Sequence, residues 1–566
     1  MNNRSYTESM NRQANYFPEF ALLILILAAY AAQSLYFGAQ LINYATEGHS
    51  RFQAMFIPWL DKAFASGSLK TFLDTLQNIH NPPLYSLCAY ALAMLFGKSW
   101  MLMTLVLNAV FLVILLVFTY LLAFEIKGRQ TAIFSAVITA LLPPIYGTYT
   151  LYSMDFAITA MAASSIYCLY RSKYFNDLKW SLLFAVSCGI GMLIKETYAG
   201  YLIGPVLYAL YLAFLRVYKS DYAALKNILV FLALTLIIVS PYYLGEKSMM
   251  WVLSAPFREP AAVPWYSFVN IRLITVGICE SLLSPPIFTL FVIGAFFFFS
   301  TRFQNNTKWL LALWIIVPSI AIILSPHWKT ARYLMPALPA YAIVAAIGIR
   351  EITSSKAGRL AVAVLLAVAM LQYIPLLFGR GLTQITGRAK SLPKYIRYYS
   401  YFDSFRPFND RLRIGRIQAD THDPYSRAMR LSAGSKVNVF MPYFSSDFDI
   451  YPSYFWFQKM EVWQYQFTDD TSLTAVRANR LPYDPEVQYD FVSFYVENKD
   501  LNKVNYLDMP FKSIKEQLFF WFGDDYFTEK ELAVHETIWK KLISTMPVRK
   551  IAYSTKDGVV YLYARQ

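Results

Sequence analysis

A few short segments carry the residues able to do chemistry, and each sits at the edge of a long apolar run. They are Thr46-Glu47-Gly48-His49, His80-Asn81-Pro82-Pro83, Asp155, Lys195-Glu196, and His327 through Tyr333. Ionisable groups at or within membrane segments are costly, so each asks for an explanation. Asp155 lies between Leu151-Tyr152-Ser153-Met154 and Phe156-Ala157-Ile158. It is either a water-exposed helix end or a carboxylate set in a cavity. Glu47 taken alone is an ordinary surface acid. The double proline after Asn81 stops one element and fixes the direction of the next. His80 could hold a metal or a substrate, although a lone His is more often a structural hydrogen-bonder. His327, Lys329 and Arg332 place two fixed cations and a His at the mouth of an apolar run that begins at Tyr333. Lys and Arg grip phosphate oxygens well. A phosphate at a membrane interface, attached to something greasy, is a lipid phosphate; the plainer reading is headgroup anchoring.

The elements that position these residues follow from composition. Of 566 residues, 57% are hydrophobic and only 15% charged, where soluble domains carry about a quarter charged. Phe and Tyr, 43 each, suit long apolar helices with aromatic belts. A spanning helix needs about 20 apolar residues. Runs near that length cover residues 20–37, 100–124, 131–154, 197–215, 227–245, 281–301, 309–326, 333–349 and 360–379. Two shorter runs, 156–170 and 180–194, reach the length if flanking residues snorkel.

Charge sets the sidedness. If residues 82–97 do not span, Lys127 and Arg129 share a side with four further groups of loop cations. These are Arg171, Lys173 and Lys179; Arg216, Lys219 and Lys226; Arg302 and Lys308; and Arg350, Lys356 and Arg359. Short basic loops face the cytoplasm. The expectation is therefore a polytopic α-helical membrane protein with about eleven transmembrane helices and an interfacial or re-entrant segment at 82–97. The N-terminus is inside, with 20–37 as a retained anchor, and the C-terminus is outside. The net charge of +15 reads as this topology signal, and no nucleic-acid partner is expected. Residues 1–379 form the membrane module, with a first outer loop at 38–98.

Residues 380–566 change character. They are polar and Tyr- and Phe-rich, with no spanning run. Strand-like stretches at 436–442, 491–496, 549–554 and 559–564, with Asp557-Gly558 as a hairpin turn, and a helical stretch at 528–546 predict a mixed α/β extracytoplasmic domain. The four cysteines (Cys88, Cys168, Cys188, Cys279) show no C-x-x-C spacing and read as small core residues. No set of ligands has a metal-site spacing, so no metal residue is assigned and a divalent metal stays open. Transporters tend to carry repeats and midplane charges, neither of which is visible. A non-catalytic scaffold and a ligase acting on lipid-linked glycans remain as alternatives.

Together these segments resemble the membrane glycosyltransferases of the GT-C fold, in the branch of the bacterial protein O-mannosyltransferases and the lipid A aminoarabinose transferase. The resemblance covers about residues 15 to 380. It rests on the acid in the first outer loop, Asn81-Pro82-Pro83-Leu84-Tyr85 closing with Leu95-Phe96-Gly97, and Asp155 opening a helix. Gly189-Ile190-Gly191-Met192-Leu193-Ile194-Lys195-Glu196 and Arg332-Tyr333-Leu334-Met335-Pro336-Ala337-Leu338-Pro339-Ala340 complete it. Where the family has Asp-Glu in the first loop, this chain has Thr46-Glu47, so Glu47 takes the base role, another acid such as Asp61 does, or activity is lost. The resemblance implies an inverting enzyme of a bacterial cytoplasmic membrane. It would move a sugar from a polyprenyl-phosphate donor to a hydroxyl of a lipid, glycan or protein acceptor at the outer face. Glu47 and Asp155 would be catalytic, and His80, Asn81, Lys195, His327, Lys329, Arg332 and Tyr333 would bind substrate.

Overall fold

The computed structural model describes residues 17–40, 56–78, 82–96, 100–149, 152–244, 277–279, 282–300, 305–324, 331–377 and six strands between 437 and 565. They fall into two compact units. The first comprises residues 1–36, 81–85 and 104–405, and the second 37–80, 86–103 and 406–566.

Each of the eleven apolar runs contains helix in its described part. In chain order the helices are α1 (Phe17–Gln40), α2 (Phe56–Ala65), α3 (Leu69–Asn78), α4 (Leu84–Leu95), α5 (Trp100–Lys127), α6 (Arg129–Leu141), α7 (Pro143–Tyr149), α8 (Met154–Arg171) and α9 (Leu178–Ile194). They continue with α10 (Tyr198–Tyr218), α11 (Ala223–Tyr243), α12 (Pro285–Ser300), α13 (Asn305–Leu324), a 3-10 segment (Ala331–Ala337), α14 (Leu338–Ile352) and α15 (Lys356–Leu377). Among the described residues, five of these segments are long and apolar enough to cross a membrane: within α5, α10, α11 and α13, and Tyr333–Ile352. Residues 84–95 form a 12-residue helix, about 18 Å long at 1.5 Å per residue and so too short to span.

One run departs from its reading as a single segment. Residues 131–154 break at Leu142, and α6 and α7 meet at 56°. Pro143 and Pro144 cause the break, because a residue before proline is pushed out of the α region and Leu142 is extended (φ −70, ψ 129). Pro144 has no N–H for the carbonyl four residues back, and that carbonyl, Ala140, accepts from the Tyr30 hydroxyl at 2.5 Å instead. Gln33 Nε2 donates to Tyr146 O at 3.2 Å. Two polar side chains of α1 thus hold the broken element.

In the first unit α8 and α14 are central. Every residue of α8 from Met154 to Leu169, and of α14 from Leu338 to Ile349, is buried. By contrast α10, α11, α12, α13 and α15 expose large apolar side chains, Phe214, Leu236, Phe296, Ile320 and Leu360 among them. Such continuous apolar exposure suits lipid contact, and the chain is an integral membrane protein. Helices α12 and α14 cross where both carry glycine. A Cβ on Gly294 would lie 2.1 Å from Val344 O, and one on Gly348 2.5 Å from Gly294 Cα. Small residues permit this backbone approach. Gly294→Ala is expected to cost about 1–3 kcal/mol of overpacking strain, whereas Gly200→Ala, with nothing within 4 Å, is neutral or stabilising. Thermal unfolding of both variants in one detergent checks the contrast.

The basic loops gather at one end of this unit. Arg129 pairs with Glu19, Arg171 with Glu125 and Lys127 with Glu351, and Arg350 donates to Lys127 O. Arg216 donates to Lys173 O at 2.7 Å and Tyr174 O at 3.1 Å. It clamps a turn in which Lys173, Tyr174 and Phe175 all hold positive φ (51, 58, 69).

In the second unit α2 and α3 pack together. The Tyr90 hydroxyl of α4 donates to Asp61 Oδ1 of α2 at 3.4 Å. The strands form one mixed sheet, ordered β3-β2-β1-β4-β6-β5, of β1 (Val437–Phe440), β2 (Met460–Trp463), β3 (Arg480–Leu481), β4 (Phe491–Glu497), β5 (Val548–Ser554) and β6 (Gly558–Arg565). β1 to β4 run parallel, and the β5–β6 hairpin joins antiparallel through β6. The expected strands coincide with β1, β4, β5 and β6; the short β2 and β3 escaped notice. The helix expected at 528–546 lies outside the described residues.

Candidate active site

At the end of the first unit opposite the basic clamps, two helix ends meet. Asp155 is the second residue of α8, where the exposed N–H groups and helix dipole favour a carboxylate. Lys195 follows the last residue of α9 with extended backbone (φ −153, ψ 134), where a cation is favoured. The helices are antiparallel neighbours, so the complementary ends coincide. Lys195 Nζ donates to Asp155 Oδ1 at 2.5 Å, and only 6% and 9% of the two side chains are exposed. This exposure decides against the water-exposed reading of Asp155. Arg171, at the far end of α8, is about 24 Å away along the helix axis.

Burial pulls the Lys195 ammonium towards neutrality, but the Asp155 carboxylate more than offsets it and holds the pKa above the ordinary lysine value of 10.5. Lys195 is therefore a cation at neutral pH. Its Nζ also lies 5.5 Å from the Tyr333 ring centroid, within cation–π range. Tyr333 belongs to the 3-10 segment, which packs on α8 and α13, and the Arg332 backbone is on the same turn. The structure thus brings Asp155, Lys195 and Tyr333 together. Glu47, His80, Asn81, His327 and Lys329, and the side chain of Arg332, lie outside the described residues. Among the described residues no three His, Cys, Asp or Glu side chains group as a metal site.

Two buried polar networks hold this corner. Asn108 Nδ2 donates to Tyr149 O at 2.5 Å and the Tyr85 hydroxyl to Asn108 Oδ1 at 3.2 Å, while Ser153 N donates to the Tyr85 oxygen at 3.2 Å. Tyr85 and Asn108 thereby fix the chain that leads into Asp155. Beneath Lys195, Ser165 Oγ donates to Ser187 Oγ at 2.8 Å, and Ser187 Oγ to Ser164 Oγ at 3.1 Å. Ser165 has one proton, so the Tyr198 hydroxyl, 2.7 Å away, donates to it. This chain links α8, α9 and α10. Gly191 is required here, because a Cβ would lie 2.3 Å from the Tyr198 ring.

Sequence reasoning did not single out Asn108, Tyr198 or the three serines. The available signal was a polar residue inside an apolar run, which costs free energy unless it is bonded. Of the cysteines, Cys168 and Cys188 are buried as expected, but Cys88 is exposed, on the outer side of α4. All four are free thiols.

A many-helix membrane body, an acid opening one buried helix, a cation closing its neighbour and a separate sheet-bearing unit define the class: the chain has the GT-C fold. By sequence, residues 80–244 match the family described as dolichyl-phosphate-mannose-protein mannosyltransferase. The chain is similar to the crystal structure of ArnT from Cupriavidus metallidurans bound to undecaprenyl phosphate, with TM-score 0.58 and 12% identity over 97% of this chain and 98% of that one. The apo form of the same protein gives TM-score 0.54 at 12% identity, over 96% and 98%. No curated protein sequence matches.

Proposed function

We propose that this protein is an inverting GT-C glycosyltransferase that takes a sugar from a polyprenyl-phosphate donor at the outer face of the cytoplasmic membrane and transfers it to an acceptor hydroxyl. The buried Asp155–Lys195 pair, met by Tyr333 at the end away from the basic loops, carries this reading. The family matched by residues 80–244 is named for a lipid-phosphate sugar donor, and ArnT was crystallised with undecaprenyl phosphate; both support a lipid-linked donor.

The acceptor oxygen attacks the anomeric carbon, and the bond from that carbon to the donor phosphate oxygen breaks. Its electron pair leaves with the polyprenyl phosphate, and the acceptor proton passes to a carboxylate, Glu47 in this reading. A positioned base of this kind must lie within hydrogen-bond reach of the proton. Arg332 and Lys329, with His327, stabilise the charge gathering on the phosphate, and His80 and Asn81 line the approach. Asp155 holds Lys195 as a cation beside Tyr333 and orients it. All eleven apolar runs span, with the N-terminus inside and the sheet-bearing domain (380–566) outside.

Purified full-length protein should release polyprenyl phosphate from at least one of a panel of synthetic polyprenyl-phosphate sugars, assayed with and without chelator. Silence across the panel, with folding verified, would overturn the proposal. Arg332→Ala is expected to weaken binding of undecaprenyl phosphate about 10-fold or more, as loss of a charge-assisted contact implies. Unchanged affinity in a titration with that lipid would remove Arg332 from the leaving-group role.

A further inference from the structure

The turn that supplies Lys195 carries a second ionisable residue to which no role has been given. Glu196 is half-buried, and its Oε2 is sealed from solvent with no hydrogen-bond partner among the described residues. Two donors near it each make a bond to another group. Lys195 Nζ is given to Asp155, and the Tyr243 hydroxyl, at the end of α11, donates to Met192 O at 3.0 Å. Asp155 has Lys195 as its partner, whereas Glu196 Oε2 has none among the described residues. Burial pushes its carboxyl above the usual range, and Lys195 draws it part of the way back. A buried acceptor without a partner costs stability, and such groups gather where a ligand completes the bonding.

A carboxylate has only acceptor sites, about four of them. It suits a group that offers two neighbouring O–H donors. A sugar ring offers that pair, and a sugar on a phosphate held beside Tyr333 is within the same corner. We infer that Glu196 is a specificity-determining residue that accepts hydrogen bonds from adjacent hydroxyls of the donor sugar. The inference rests on the glycosyltransferase reading and adds the part of the substrate that this carboxylate reads. It assigns two roles on one turn: Lys195 holds Asp155 beside Tyr333, and Glu196 reads the sugar.

The test uses full-length protein, undecaprenyl phosphate itself, and the undecaprenyl-phosphate hexose that the wild type turns over fastest, with its singly deoxygenated analogues. Glu196→Ala should bind undecaprenyl phosphate within twofold of wild type while KM for the hexose donor rises about 10-fold, the loss of one bond to a charged acceptor. Glu196→Gln keeps one acceptor oxygen and should lie about threefold from wild type. One deoxy analogue should be penalised about 10-fold by the wild type and hardly at all by Glu196→Ala, a convergence that a merely structural role does not produce. If Glu196→Ala weakens both ligands equally, or every deoxy analogue is penalised alike in both proteins, Glu196 does not read the sugar. If the wild type turns over no donor, the glycosyltransferase reading fails first and this inference falls with it.

Discussion

Lys195→Met is expected to destabilise the protein by about 3–5 kcal/mol and to abolish turnover. The reason is Asp155, which would be left at the buried start of α8 with its partner removed. Breaking a buried pair from one side costs that much, because the remaining charge is uncompensated. Replacing both members can be close to neutral, so Asp155→Asn combined with Lys195→Met should regain most of the stability and none of the activity. Thermal unfolding and sugar transfer measured on the same preparations separate the two effects. A double variant as unstable as the single one would show that the corner depends on the charges themselves. The pair also sets a pH dependence. The folded pKa of Lys195 is raised above 10.5, so its contribution is complete below pH 10.5 and is lost as pH rises through the folded value. Unfolding midpoints of wild type and Lys195→Met should therefore converge on the alkaline side, above pH 10.5, and not between pH 7 and 10.

Glu47→Gln is expected to lower the transfer rate by about 10²–10⁴-fold, the range of a positioned general base, while the unfolding midpoint stays that of wild type. The amide keeps the shape and loses the basicity. Donor binding, measured with undecaprenyl phosphate, should be unchanged, since the base acts on the acceptor. Asp61 is the competing acid, and it accepts a hydrogen bond from Tyr90 at 3.4 Å. Turnover that survives Glu47→Gln and is lost in Asp61→Asn would move the base role to α2.

How much of this was legible in the sequence differs from element to element. Long apolar runs announce themselves because each spanning helix must satisfy its own backbone inside lipid, and the runs at 100–124 and 197–215 needed no further information. The double proline at 143–144 was also in plain view, and it broke a run that hydropathy alone joined into one. The hairpin β5–β6 was readable from Asp557-Gly558 and its flanking strands. The parallel strands β2 and β3 were not, because four residues and two residues carry no periodic pattern and their partners are remote in the chain.

By itself the sequence determined where the long apolar helices and the basic loops fall, and that Asp155 and Lys195 end apolar runs, all consequences of local composition and spacing. Only the tertiary structure decided that Asp155 and Lys195, 40 positions apart, form one buried pair with Tyr333 against it, and that Asn108, Tyr198 and Ser165 hold the corner. Those facts depend on which helices become neighbours. That choice is made by side-chain packing across the bundle, at contacts such as Gly191 against Tyr198 and Gly294 against Gly348, which no stretch of chain specifies alone.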